Sequence, residues 1–395
     1  MIIGVTKETA AKELRVALIP ASAAVLIKAG LEVRVERGAG EAAGFPDAAY
    51  EEKGVTLCDR ADVFAQADIV VQVQGPGAHA AGLTSDLPQC RPGQILVGMQ
   101  DPLGNPEGVA AMAKQGVTAL SLEMVPRITR AQSMDVLSSM ATVAGYQAVL
   151  EAAAQLPRLF PMLMTAAGTL APARVFVVGV GVAGLQAIAT AKRLGAVVEA
   201  YDVRPAVRDQ VLSVGAKFVE FDLETEGAED KGGYAKEQSD EFIRRQQQQM
   251  QEVVARNDVV ITTAAIPGKK SPVLVTEPMV EAMAPGSVIV DLAAERGGNC
   301  ELTRADEVVT AHGVTILGPT DLVSRKPYHA SQMFARNIET LLLSLYKDGG
   351  LNLDPADEVV AGCLLAKDGE VVHPRLREML DLPPLAPPAA PEEGD

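Results

Sequence analysis

Short β-branched runs alternate with helical stretches in two successive series along the chain. In the first series, Ile2 to Thr6, Leu31 to Glu36, Ile69 to Val73, Gln94 to Gly98 and Val117 to Leu122 predict strands; Ala21 to Lys28, Asp62 to Ala65 and Pro106 to Lys114 predict helices between them. Strands spaced by helices pair in parallel through crossover units. A connecting stretch, Asp135 to Leu156, has helical apolar spacing and leads into the second series. There the strands are Arg174 to Val178, Val197 to Asp202, Lys217 to Phe221, Asp258 to Thr263, Ser287 to Asp291 and Val314 to Leu317. Six strands in this rhythm predict a complete doubly wound sheet. His329 to Tyr346 reads as a further helix with Met333, Ile338, Leu341, Leu342 and Leu345 on its apolar stripe, packing back on the first domain.

Length and composition agree with two domains and narrow the partners. The 395 residues are 48% hydrophobic and 22% charged, enough apolar material for two cores. The 35 basic residues against 51 acidic ones leave a net charge of −16, which repels nucleic acid and anionic lipid from the molecule as a whole. Cys58, Cys90, Cys300 and Cys363 lie far apart without a CxxC pair, as free thiols of a reducing cytoplasm do. Met1 to Glu8 runs straight into a strand and has no signal-peptide pattern, so an unexported chain is expected. The most apolar run, Val175 to Ala191, is broken by three glycines, so neither a transmembrane segment nor direct membrane insertion is expected. Residues 382–395 carry five prolines and three acids at the end, the composition of a linker or a free end.

The chemistry begins at Gly179-Val180-Gly181-Val182-Ala183-Gly184, a GxGxxG directly after the strand ending at Val178 and opening the helix Leu185 to Leu194. Gly179 permits the tight turn, Gly181 lets a pyrophosphate approach the backbone, and Gly184 lets helix and strand pack closely; the phosphates then lie at the helix N-terminus, beside Val182. Asp202 ends the next strand, followed by Val203 and Arg204, and its carboxylate would accept the ribose hydroxyls of NAD and repel a 2′-phosphate. Arg204 leaves a counter-reading open, since an arginine can also receive that phosphate. Thr263, Ala264 and Ala265, with the stretch Asp291 to Gly298, end later strands at the edge where open α/β sheets hold ligands. The expected fold is α/β, with two Rossmann-like doubly wound parallel-sheet domains separated by a cleft: residues 1–135, completed by 326–380, and the dinucleotide-binding domain 136–325, before a flexible Pro-rich acidic tail over 381–395.

Two further segments carry polar groups in suggestive order. Gly232-Gly233-Tyr234-Ala235-Lys236 lies in the acid-rich stretch Glu224 to Asp240 and reads either as a lid whose Tyr234 ring closes over a ligand or as a solvated loop. In Arg127 to Ser138, a helical turn would place Gln132, Asp135 and Ser138 on one face, with Arg127 reaching back to the carboxylate and Arg130 as its rival. The same residues also read as a helix cap and its solvated first turns.

Together, Gly4 to Glu8 with Arg15 to Leu18, the Arg127 to Ser138 loop, the GVGVAG turn and the Gly232 to Lys236 segment resemble the NAD(H)-binding subunit of proton-translocating nicotinamide nucleotide transhydrogenase over nearly everything before the tail. The fold is shared with alanine dehydrogenase, which has a KVKEP-like lysine segment and a histidine where this chain has Gln72-Val73-Gln74-Gly75-Pro76 and Gln100-Asp101-Pro102. Oxidising a C–N bond needs a proton acceptor and a carboxylate anchor, whereas transfer between nicotinamides moves only a hydride. None of His79, His312, His329 and His373 matches the catalytic position of that family. The resemblance implies that the chain binds NADH and that NADP(H) is held on a partner subunit. Arg127, Asp135 and Ser138 would then hold the nicotinamide, Gln132 would reach toward the partner's nucleotide, and Tyr234 would belong to a closing loop. It further implies membrane-spanning and NADP(H)-binding partner subunits and a homodimer; no metal is expected, and the Pro-rich end is read as that of a separately encoded subunit peripheral to the inner face of the cell membrane, a reading that a shortened form of a longer chain would match equally. An amino acid dehydrogenase and a non-catalytic NAD-sensing module are the readings of other classes.

Overall fold

A computed structural model of the chain describes residues 1–221, 240–266 and 268–385. It divides into two compact units, Met1–Leu137 with Pro327–Asp395, and Ser138–Lys326.

In chain order the strands of the first unit's opening segment are β1 (Ile2–Val5), β2 (Glu32–Glu36), β3 (Thr56–Cys58), β4 (Ile69–Gln74), β5 (Ile95–Met99) and β6 (Thr118–Ser121). The second unit holds a small hairpin, β7 (Leu163–Thr165) and β8 (Gly168–Leu170), then β9 (Arg174–Val178), β10 (Val197–Tyr201), β11 (Lys217–Phe218), β12 (Val259–Thr262), β13 (Val288–Asp291), β14 (Val308–Ala311) and β15 (Val314–Leu317). The returning chain adds β16 (Tyr346–Lys347), β17 (Gly350–Leu351), β18 (Leu364–Lys367) and β19 (Glu370–Val371) to the first unit.

The first unit's sheet runs β19-β18-β6-β5-β4-β1-β2-β3, parallel from β6 to β3, with β18 and β19 added antiparallel at one edge. The helix Pro327–Leu345 lies in this unit, where the apolar stripe expected for it buries Ile338, Leu341, Leu342 and Leu345. Met333 is only half-buried, and Phe334 takes the inward place. Ser331 Oγ of that helix accepts from Val16 N at 3.0 Å, tying the helix to the segment after β1.

The second unit's sheet runs β11-β10-β9-β12-β13-β15-β14, parallel except for β14. The centre of such a sheet is covered on both faces, which is why its strands read as unbroken apolar runs. In β9, Val175 and Val177 belong to one core cluster, and Phe176 and Val178 to the other. The strand order reverses between β9 and β12, and Thr263 N donates to Val178 O at 2.8 Å across that switch point.

Several expectations are corrected. The strand expected over Lys217 to Phe221 is confined to Lys217–Phe218, because Phe221 leaves the sheet to pack its ring 4.4 Å from that of Tyr201. The six-strand second sheet has a seventh strand, β14, and the first has three beyond those expected: β3, β18 and β19. Two-residue turns with positive φ close the added antiparallel pairs: His312 (52°) and Gly313 (78°) between β14 and β15, and Asp368 (52°) and Gly369 (84°) between β18 and β19. All four cysteines are free thiols. Among the described residues no helix is long and apolar enough to cross a membrane, and no group of three or more His, Cys, Asp or Glu is placed to hold a metal.

The helix Val136–Gln155 carries a glycine in its interior, Gly145, where a Cβ would come within 2.1 Å of Ala183 O. Alanine in place of mid-helix glycine normally gains up to about 1 kcal/mol, whereas forcing a methyl into packed backbone costs about 1 to 3. Gly145→Ala is therefore expected to destabilise the protein by about 1 to 2 kcal/mol in chemical denaturation; stabilisation by the propensity gain would show that the contact yields freely.

Candidate functional site

The site in the second unit is built on the carboxyl ends of β9, β10 and β12. Gly179 has φ +94°, a conformation that L side chains rarely adopt, and a Cβ there would lie 2.7 Å from Thr263 Oγ1. At Gly184 a Cβ would come within 2.0 Å of Gly179 O, so the helix Val182–Arg193 starts pressed against the turn that precedes it. Gly181, the N-cap, differs from both: a Cβ there would meet nothing within 4 Å, and no side chain caps the helix. The start of this helix is therefore open at Gly181, where the helix dipole favours an anion.

Asp202 follows β10 directly and is 8% exposed. Its Oδ2 accepts from Val180 N at 2.7 Å, which ties the acid to the glycine turn, and its Oδ1 accepts from Arg204 N at 2.9 Å. The Arg204 guanidinium forks over the same carboxylate, with Nε to Oδ1 and Nη2 to Oδ2, each at 2.9 Å. Beside it opens a cavity of about 240 Å³ lined by Tyr201, Asp202, Val203, Pro205 and Arg208, among others.

The opposite wall is the loop after β12. Thr263 Oγ1 donates to Gly179 O at 2.9 Å, joining wall and turn. Ala264 is held at both backbone groups by Asn299, which accepts from Ala264 N at 2.9 Å and donates to Ala264 O at 2.8 Å; Ala265 beyond it is exposed. Asp291, expected at this edge, turns inward instead. Fully buried, it accepts from Ala293 N, Asn299 N, Cys300 N and Thr303 Oγ1 at 2.7 to 3.0 Å and so fixes the loop that carries Asn299. Asn299 is a residue that sequence reasoning misses, since no motif marks it; only the paired glycines 297 and 298, both at positive φ, signal a special turn before it.

In the first unit, Arg127 Nε lies 3.9 Å from Asp135 Oδ2, and both side chains are partly exposed. Arg130, the alternative arginine, pairs with Asp357 at 2.5 Å. The expected single helical face of Gln132, Asp135 and Ser138 does not form. Thr129–Met134 is a 3₁₀ helix containing the exposed Gln132, Asp135 is extended (ψ 93°), and Ser138 lies in the first turn of Val136–Gln155 on the far side of that break. Asn337 Nδ2 donates to Ser133 O at 2.8 Å and pins the 3₁₀ turn to the helix Pro327–Leu345. Tyr234 and its segment lie outside the described residues.

At the carboxyl edge of the first sheet, Gln100 Oε1 accepts from Gly77 N at 3.0 Å, and Glu123 takes the N–H groups of Gln100 and Asp101. Burial pushes the Glu8 carboxyl up to about 8, although it accepts from Val73 N and Gln74 N. Three of the histidines have local partners. His79 Nδ1 accepts from Gly82 N, and burial holds its pKa down; His312 pairs with Glu277; His329 meets the Tyr328 ring edge-on. Burial also lowers the pKa of His373.

Because Asn299 supplies the acceptor for Ala264 N, Asn299→Ala is expected to speed amide exchange at Ala264 by about tenfold, the equivalent of one lost buried hydrogen bond. Unchanged exchange in hydrogen–deuterium NMR would show that the wall is held by other contacts.

Comparison with known proteins places this arrangement in a family. The alanine dehydrogenase/PNT N-terminal domain matches residues 4–144, and the C-terminal domain of the same family matches residues 148–374. The chain is 47% identical over 380 residues to an NAD(P) transhydrogenase alpha-subunit chain of Rhodospirillum rubrum, across 95% of this chain and 99% of that one. Among solved structures, the transhydrogenase from Sinorhizobium meliloti superposes with a TM-score of 0.82 at 42% identity, covering 95% of this chain and all of that one. An L-alanine dehydrogenase structure superposes nearly as well, with a TM-score of 0.80, but at 25% identity over 96% of this chain and 99% of that one. Backbone shape thus leaves the two branches nearly level, and sequence separates them: the chain belongs to the alanine dehydrogenase/PNT family, on its NAD(P) transhydrogenase alpha-subunit branch.

Proposed function

We propose that this subunit binds NADH and passes its hydride to NADP+ held on a partner subunit, the transfer being coupled to proton translocation by a membrane-spanning partner. The observation that carries the reading is the open N-terminus of the helix Val182–Arg193 set beside the Asp202 carboxylate, a fit for a pyrophosphate and an adenosine ribose. Gly179, Gly181, Val182 and Gly184 would receive the phosphates, Asp202 and Val203 the adenosine end with Arg204 beside them, and Thr263, Ala264 and Ala265 would form the far wall. The nicotinamide supplies a hydride donor or acceptor when bound, and this exchange asks the protein for placement without a base. Gln74 and Gln100 support it, being neutral amides where an amino acid dehydrogenase needs ionisable groups.

Arg127, Asp135 and Ser138 are assigned to orienting the nicotinamide, with Gln132 directed to the partner's nucleotide and Tyr234 to a closing loop. A homodimer working peripherally at the inner face of the cell membrane, through its partner subunits, completes the proposal.

The test separates anchoring from orientation in the complex reconstituted with the membrane-spanning and NADP(H)-binding subunits. Asp202→Asn is expected to weaken NADH binding by about tenfold to a hundredfold, the loss of hydrogen bonds to a charged acceptor. Arg127→Ala is expected to slow NADH-linked reduction of an NADP+ analogue by about tenfold to a hundredfold while changing the NADH dissociation constant less. Equal losses of binding and turnover in Arg127→Ala would overturn the division of roles. NADH release on adding alanine without any partner subunit would favour an amino acid dehydrogenase instead.

A further inference from the structure

The carboxylate assigned above to the adenosine ribose has no acceptor capacity left. A carboxylate offers about four lone-pair positions, two on each oxygen. On Asp202 they receive Val180 N and Arg204 Nη2 at Oδ2, and Arg204 N and Arg204 Nε at Oδ1. Two of these donors are backbone groups, Val180 N of the glycine turn and Arg204 N of the loop after β10. The other two sit on one planar fork at the end of a flexible side chain, and a ribose diol also presents two donors on one rigid unit.

We propose that the Arg204 guanidinium is a displaceable stand-in for the adenosine ribose of the nucleotide. It occupies the two acceptor positions of Asp202 that the ribose hydroxyls take, and NADH binds by exchanging with it. The pair is well shielded, with side-chain exposures of 13% for Arg204 and 5% for Asp202, so the bond broken is stronger than an ordinary surface ion pair. Arg204 Nη2 also reaches Val180 O at 3.3 Å, so the same fork braces the glycine turn until the ribose replaces it. Arg204 thus spares the unliganded protein a buried carboxylate without a counter-charge and at the same time weakens the nucleotide's net affinity, since each binding event removes two charge-assisted hydrogen bonds before forming two new ones. This also accounts for an arginine two residues from the ribose acid in a site read as selecting NAD: its charge is already engaged by that acid.

The inference rests on the reading that NADH uses this site, and the experiment keeps the two apart. NADH is titrated by calorimetry into the wild-type chain, Arg204→Met and Arg204→Lys. Arg204→Met retains apolar bulk without donors and is expected to bind NADH about three- to tenfold more tightly, the gain from removing an internal competitor. Arg204→Lys, a single cationic point without the fork, is expected to fall between wild type and Arg204→Met. In thermal unfolding, unliganded Arg204→Met should melt below wild type and gain more from saturating NADH, a pattern that a general loss of stability would not produce. Weaker or unchanged NADH affinity in a folded Arg204→Met protein would overturn the stand-in role, since the arginine would then hold the nucleotide or be irrelevant to it. Absence of NADH binding to the wild-type chain would instead remove the site assignment itself.

Discussion

The site depends on how closely one helix starts against the strand before it. A methyl at position 184 would come within 2.0 Å of Gly179 O, one at 179 within 2.7 Å of Thr263 Oγ1, and one at 145 within 2.1 Å of Ala183 O. Three elements, β9 with its turn, the loop after β12 and the helix Val136–Gln155, converge on that first helical turn, with the Thr263 hydroxyl filling the space between loop and turn. Shared hydrogen bonds lock the approach: Val180 N to Asp202, Thr263 Oγ1 to Gly179 O, Thr263 N to Val178 O. What remains open is Gly181, where the backbone faces space and the helix presents its positive end. The unit is therefore closely packed at Gly145, Gly179 and Gly184 and open at Gly181.

Two aspartates at the ends of separate strands of this sheet show how burial decides what a carboxylate does. Asp291 at the end of β13 is wholly enclosed and saturated by three backbone N–H groups and a threonine hydroxyl, so it shapes a loop and has nothing to offer a ligand. Asp202 retains a little exposure, and half of its bonds come from a movable side chain. Acid at the end of a strand is the common feature; the donors that surround it set the role.

The first unit repeats the architecture with different chemistry at its carboxyl edge. Gln100 Oε1 and Glu123 are occupied with the backbone of neighbouring loops, and Glu8 is embedded against Val73 and Gln74. Its other contribution is local: the 3₁₀ turn carrying Gln132 is pinned through Ser133 to Asn337 on the returning helix. A segment near residue 130 is thus positioned by one two hundred residues later in the chain.

The central parallel strands and the glycine turn were legible in the sequence because each is written in consecutive residues: strands buried on both faces must be apolar throughout, and a turn pressed against its own helix must lack side chains. The edges were less so. β14 is a half-exposed strand and β18 a buried one of four residues, and their turns, His312-Gly313 and Asp368-Gly369, are ordinary dipeptides until partner strands give them a sheet to close. A helical face uniting Gln132, Asp135 and Ser138 failed because the spacing carries no sign of the extended residue at 135 that divides two helices. Asn299 and the inward turn of Asp291 had no local mark at all, since both are set by loops that meet only when β12 and β13 pair. Which atoms answer the Asp202 carboxylate was likewise a tertiary matter: chain order places an acid and an arginine two residues apart after a strand, and folding alone, by bringing the Val180 amide and the Arg204 fork onto the same two oxygens, turns the arginine to face the acid.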